Sequence, residues 1–267
     1  MSSGASARPL LIDCARQQVR VIGALVIREM HTRFGRRRLG YLWVFLEPLL
    51  LGAMIALIHG SHGRFSGETM RATFEFFAIG YILFFKFRGI INRATTTIVA
   101  NRGLLYHRQV TLPDLFYARH IIESVACTGV LVIFVIAAVA LGGAVPDSPM
   151  QMIWALGLML LLSQGIALMV GAVTTEWEGL ERLVHAFSYV MLPFCGVFFM
   201  VEWLPAWMQE IVLWIPTVHV FELLREGQFG DRVKATYDLG YLAGWILVPH
   251  LLGLAGLRLA RQRIGLE

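Results

Sequence analysis

Charge is scarce in this chain of 267 residues: Asp, Glu, Lys and Arg make up 15% of it, where ordinary soluble domains carry about 25%. Hydrophobic residues make up 57%. So few charges cannot clothe a soluble fold of this size, and with a mean hydropathy of +0.65 the chain reads as an integral membrane protein. Cysteine is as rare: Cys14, Cys127 and Cys195 lie far apart, which excludes a disulfide framework and a zinc pattern. Lysine occurs twice, as Lys86 in FFKFR and Lys234 in RVKAT. Neither follows Gly or precedes Ser or Thr, so the glycine-rich loop that cradles nucleotide phosphates is missing. The chain carries no ATPase of the usual kind, and active transport needs another subunit for the power stroke.

Catalytic and metal patterns are missing too. No Gly-x-Ser-x-Gly or Cys/His nucleophile pattern occurs, and Ser163 and Ser188 stand alone. His59 and His62 are spaced i, i+3, as are His219 and Glu222, but a metal site needs three or four ligands. Both pairs read as interfacial polar residues, and no metal is expected.

The charge that is present is concentrated. Net charge is +5, and eight arginines fall in the first 38 residues, ending in Arg36, Arg37 and Arg38 before an apolar run. That cluster suits an anionic cytoplasmic leaflet rather than nucleic acid. Residues 1–38 also lack the apolar core of a cleavable signal peptide. Six segments approach the roughly 20 apolar residues a spanning helix needs: 39–59, 73–91, 119–141, 151–173, 183–201 and 239–258. On this reading the 23 Lys and Arg residues divide 18 to 5 between the two sides, which puts both termini in the cytoplasm. The chain is read as one transmembrane domain over 1–267: a cytoplasmic segment 1–38, a six-span bundle 39–258 and a cytoplasmic tail 259–267.

Three stretches outside the spans are informative. Over 9–32, Leu10, Leu11, Cys14, Val19, Ile22, Val26 and Met30 oppose Arg16, Arg20 and Arg28, the pattern of an amphipathic helix on the inner surface. Residues 92–115 form a long cytoplasmic loop with a short helical stretch. Residues 202–226, rich in Trp and divided by Pro205 and Pro216, form two helical pieces too short to span. They are expected to dip into the membrane from outside. Pro216 ends the first piece and Thr217 caps the second.

Ionisable residues inside the membrane are costly and therefore candidates for function. Glu47 is either interior to a pathway or paired with an Arg. Lys86 and Arg88 either greet an anionic substrate or snorkel to the interface. Arg119 and Glu123 are spaced for an i, i+4 pair. Tyr41, Trp43, Phe198, Trp203, Trp207 and Trp214 belong to an aromatic set that suits stacking against sugar rings or a membrane-interface belt.

REMHTRFGRRRLGYLWVFLEPLL at 28–50, ANRGLLYHRQVTLPD at 100–114, ARHIIES at 118–124 and WIPTVHVFELLREG at 214–227 occur in that order along nearly the whole chain. Together they resemble the permeases of ABC exporters of capsular polysaccharide. The resemblance implies an all-α type-2 exporter fold with six spans, an N-terminal interface helix and re-entrant helices between spans five and six. It implies a homodimer in the inner membrane, with two copies of a separate ATPase that binds ATP and Mg. A periplasmic polysaccharide copolymerase and a lipid-linked polysaccharide are the other implied partners. The coupling helix maps to about 96–112, with Asn101, Arg102, Leu104, Leu105, Tyr106 and Arg108 as contacts. The pathway candidates are Tyr41, Trp43, Glu47, Lys86, Arg88 and Phe198, and the outer gate is Trp203, Trp207, Trp214, His219 and Glu222. Exporters of O-antigen or teichoic acid are the close alternatives. A secondary transporter and a membrane enzyme are rivals of another class.

Overall fold

The computed structural model describes residues 11–34, 50, 54, 67–106, 109–175, 177 and 179–263, and every regular element among them is helical. Helix α1 covers Leu11–Phe34, α2 Gly67–Ala94, α3 Thr97–Ala100, α4 Leu112–Ala140, α5 Pro149–Thr174, α6 Leu180–Val190, α7 Ala206–Val212, α8 Pro216–Phe229 and α9 Leu239–Arg263. Three of these are long and apolar enough to cross a membrane: Leu112–Ala140, Pro149–Thr174 and Leu239–Gln262. At 1.5 Å per residue α4 alone is about 44 Å long. Of the expected first span, 39–59, only residues 50 and 54 are described.

Local chemistry sets the starts of these helices. The Asp114 carboxylate accepts the backbone N–H of Thr111 at 2.8 Å, and Pro113 occupies the first turn of α4, where its missing N–H costs nothing. Ser148 caps α5 by accepting from the Gln151 amide, with Pro149 behind it. Pro216 opens α8 rather than closing α7, because a fixed φ is pre-organised for a helix start. Thr217 is therefore inside α8 and does not cap it; its hydroxyl donates to the Cys195 carbonyl at 3.1 Å.

The fifth expected span, 183–201, differs most. Helix α6 has 11 residues, about 16 Å of rise, and residues 191–200 run on in turns and extended chain. Pro193 cannot donate to a continuing helix, and Gly196 sits at φ +100°, against Val218 and Phe221.

One apolar core joins α2, α4, α5, the 195–197 segment, α8 and α9, through Leu83, Phe84, Leu162, Val197 and Leu224. A second lies where α1, α3 and the start of α4 meet, around Leu25, Ile98, Leu105 and Phe116. Helices α5 and α9 approach so closely at Gly253 that a Cβ there would lie 2.5 Å from the Leu168 Cβ. Small residues at helix contacts are the usual means of close packing in membranes. Helix α8 runs antiparallel to α5. The Ser148 amide at the start of α5 donates to the Gly227 carbonyl at 2.8 Å, while Thr217 shares a crevice of about 480 Å³ with Ile166 and Val170. Outward faces stay apolar, with Val132, Ile133 and Ile136 of α4 and Leu247, Leu251 and Leu252 of α9 exposed, as a surface meeting lipid requires.

Candidate functional site

Two opposite ends of the bundle carry the polar chemistry. At the first end, α1 packs along α4. Its apolar residues divide: Val21, Ile22, Leu25 and Val26 enter the second core, while Ile12, Val19 and Met30 stay exposed on one face. The loop after α2 is tied to α1 and α4 by charge. Arg119 Nε lies 3.1 Å from Glu29 Oε1, and Arg119 also donates to the Thr97 hydroxyl at 3.2 Å. Arg28 donates to the Asn101 amide oxygen at 3.1 Å, and Asn101 in turn donates to the Thr97 carbonyl at 2.8 Å. Arg93 Nε lies 2.8 Å from Glu123 Oε2, and Gln18 donates to Asp114. Arg119 and Glu123 therefore each reach to a different helix, beyond the i, i+4 spacing that first linked them.

This network locates most of the expected coupling residues. Asn101 is buried and spent on internal bonds. Arg102 and Gly103 are exposed in the short helical turn Arg102–Leu104, and Tyr106 is 82% exposed. Leu105 is the correction: it is 6% exposed and packs into the chain's own core, so it cannot serve as an apolar anchor for a partner. Val99, which sequence reasoning passed over, is exposed beside Tyr106's turn and supplies apolar surface there. Arg108 lies outside the described residues.

The three described pathway residues, Lys86, Arg88 and Phe198, do not come together. Tyr41, Trp43 and Glu47 lie outside the described residues. Lys86 neither snorkels nor faces a passage: it is 1% exposed, and its Nζ donates to the Leu156 carbonyl of α5 at 2.8 Å. An ammonium so enclosed is held by a backbone acceptor in place of water. Arg88 lies with its guanidinium 3.5 Å from the centre of the Tyr189 ring, joining α2 to α6. Phe198 is half-buried, 6.0 Å from Phe77.

At the second end, the segment 195–238 folds around α8. Glu222 accepts the Val201 amide at 3.1 Å with one oxygen and the Thr236 amide at 2.9 Å with the other. One nitrogen of His219 bonds the Leu213 carbonyl at 2.8 Å, and its Nδ1 accepts the Asp238 amide at 2.9 Å. Both are buried braces, and His219 also lines a recess shared with Trp214 and Tyr241. Glu226 accepts from Gln151 and from the Tyr237 hydroxyl. Burial, with the Glu226 carboxylate beside it, pushes the Tyr237 phenol above its ordinary pKa. Trp207, Ile211 and Trp214 share an exposed face as their spacing requires, whereas Trp203, also exposed, stacks on Phe76 at 4.9 Å.

Sequence reasoning missed Arg225. The 18-to-5 division places Arg225 among the five outer charges, yet the residue is fully buried. Its guanidinium donates to the Val197 and Phe199 carbonyls and stacks 3.7 Å from the centre of Phe76. The signal was available: Val218, Phe221, Arg225 and Gln228 fall at i, i+3, i+7 and i+10, one face of a helix whose other members are buried.

Residues 20–229 match the family described as ABC-2 type transporter. The chain belongs to that family. It is 38% identical over 239 residues to the capsule polysaccharide export inner-membrane protein CtrC of Neisseria meningitidis, covering 89% of this chain and 90% of that one. It is 35% identical over 240 residues to the capsule polysaccharide export inner-membrane protein BexB of Haemophilus influenzae, covering 89% of each. To the polysialic acid transport protein KpsM of Escherichia coli it is 31% identical over 237 residues, 88% of this chain and 91% of the relative. For an ABC-2 type transporter, the charge-tied loop and α1 at one end of the bundle and the braced helical segment at the other are the two regions with distinctive polar architecture.

Proposed function

We propose that this chain is the transmembrane permease subunit of an ATP-driven exporter that carries lipid-linked capsular polysaccharide across the inner membrane. The observation that carries this reading is similarity over nearly the full length to capsule polysaccharide export proteins. The missing phosphate-binding loop supports a separate ATPase that holds ATP and Mg. The permease works as a homodimer with two ATPase copies and a periplasmic copolymerase. Six spans comprise 39–59, α2, α4, α5, α6 with its extension, and α9, both termini being cytoplasmic. The 97–106 loop receives the ATPase, and exposed Val99, Arg102 and Tyr106 support that role. Helices α7 and α8 re-enter the membrane from outside, a reading supported by the crevice that Thr217 shares with Phe87 and Val170. The outer gate is confined to residues 206–214, because α8 is braced by His219, Glu222 and Arg225 while Trp207 and Trp214 stand free of the core.

Deleting the gene from its host and staining capsule on intact cells tests the reading. Intracellular accumulation of unexported glycan, restored to surface display by the wild-type chain together with a co-purifying ATPase, is the expected result. Normal capsule in the deletion strain overturns it.

A further inference from the structure

We propose that the recess between α7 and the start of α9 is a binding subsite for one uncharged sugar unit of the exported chain. This inference rests on the glycan-export reading above. The recess has a volume of about 380 Å³, and Trp214, Tyr241, Glu210, Asp238 and Thr236 are among the residues that line it. That volume falls within the range of small-molecule sites, which pair apolar or aromatic walls with a few placed polar groups.

Trp214 and Tyr241 give the recess aromatic walls. Trp214 is 75% exposed, and its carbonyl accepts the Tyr241 hydroxyl at 2.7 Å, so the two residues are held together across the recess. Tyr241 is backed by His219 at 5.2 Å and by Trp245 at 6.5 Å. The face of an aromatic ring is electron-rich. The C–H face of a pyranose is its complement.

The polar groups select what enters. Asp238 commits one oxygen to the Gly240 and Tyr241 amides, at 2.7 and 3.0 Å, and keeps the other for a ligand. The Glu210 side chain has no hydrogen-bond or ion-pair partner among the described residues, and both nitrogens of His219 are already bonded. Among the described residues, no Lys or Arg lines the recess. It therefore offers carboxylate acceptors on an aromatic floor, a match for sugar hydroxyls. The same carboxylates repel a uronate, a sialate or the phosphate of a lipid headgroup, so this is selection by repulsion as well as by fit. A simple membrane-interface belt of Trp and Tyr has no use for two carboxylates among its rings.

The test uses the permease–ATPase complex in lipid nanodiscs, with maltotetraose as the neutral probe and tetragalacturonate as the acidic one. Binding is read by saturation-transfer NMR. Wild type is expected to bind maltotetraose at least about tenfold more tightly than tetragalacturonate, and Trp214→Ala to lose about tenfold for the neutral probe. Trp214 is exposed, so its truncation leaves the core intact. Glu210→Gln removes one repulsive charge at an exposed site and is expected to narrow the discrimination. Equal binding of the two probes, no binding of either, or unchanged binding by Trp214→Ala overturns the subsite. Capsule on complemented cells is scored in parallel. Surface capsule without neutral-probe binding defeats the subsite alone, whereas failure of the wild-type chain to restore capsule defeats the export reading itself.

Discussion

The guanidinium of Arg225 sits 3.7 Å from the centre of the Phe76 ring, and it reaches back along the chain to hold the Val197 and Phe199 carbonyls. One cation thus fastens α8 to α2 and fixes the chain that follows α6. Removing it strands the Val197 and Phe199 carbonyls and takes away a positive charge that acts on Glu222.

Arg225→Met is expected to destabilise the permease by about 3 kcal/mol or more, the usual result of breaking a buried charge network. Arg225→Lys should recover little, because an ammonium cannot replace the planar fork or its stacking. Phe76→Leu, which keeps the guanidinium and its carbonyls, should cost about 1 kcal/mol. Thermal midpoints of the three variants in detergent, read by fluorescence-detected gel filtration, check the order. A wild-type midpoint for Arg225→Met would remove the brace.

The pair Arg119–Glu29 joins α4 to α1. Reversing one member, Glu29→Arg, sets two cations where an ion pair stood, and should weaken α1 docking by about 1–2 kcal/mol. The double exchange Glu29→Arg with Arg119→Glu should restore part of that loss. Protease accessibility of α1 in membrane vesicles measures it, and additive single and double effects would show that the pair does not couple.

Leu105 and Tyr106 are neighbours with opposite fates. Leu105→Asp buries a carboxylate in the second core, and the permease itself should be unstable, by about 3 kcal/mol or more. Tyr106→Asp should leave the melting curve unchanged and reduce the ATPase recovered with the permease. Normal folding of Leu105→Asp would restore Leu105 as a candidate contact for the partner.

Both termini are expected on the cytoplasmic side. After Cys14 is replaced, since it is the exposed one of the three free cysteines, Ser3→Cys and Asp147→Cys are labelled separately with a membrane-impermeant maleimide. Asp147→Cys should react on intact spheroplasts and Ser3→Cys only after lysis. Equal reaction from outside contradicts the topology.

The long periodic elements were legible in the sequence. The helices α4, α5 and α9, of 25 to 29 residues, each contain a long apolar window, so little competes with a spanning helix. Helix α1 was visible too, but its expected apolar stripe divides: Ile22 and Val26 enter the second core while Cys14, Val19 and Met30 stay exposed. The halving of the 202–226 segment was visible in Pro205 and Pro216, but which side of Pro216 would be helical depended on how position N1 tolerates its ring. The failures share another cause. Lys86 finds its acceptor 70 residues away, Arg225 reaches 26 and 28 residues back, and Glu29 meets Arg119 across 90 positions. No local pattern predicts such partners, so buried cations looked like surface ones. Residues 183–201 looked like one continuous helix because hydropathy ignores the interruption made by Pro193 and Gly196 together.

The bonds joining Arg28 to Asn101 and Glu29 to Arg119 bear on the engineering of hybrid exporters. A 97–106 loop transplanted from a relative to recruit that relative's motor would arrive without the α1 surface it was fitted to. Its Asn101 and Thr97 equivalents would meet foreign side chains. Successful hybrids should therefore exchange α1, the loop and the first turns of α4 as a single cassette, and loop-only hybrids should assemble but transport poorly.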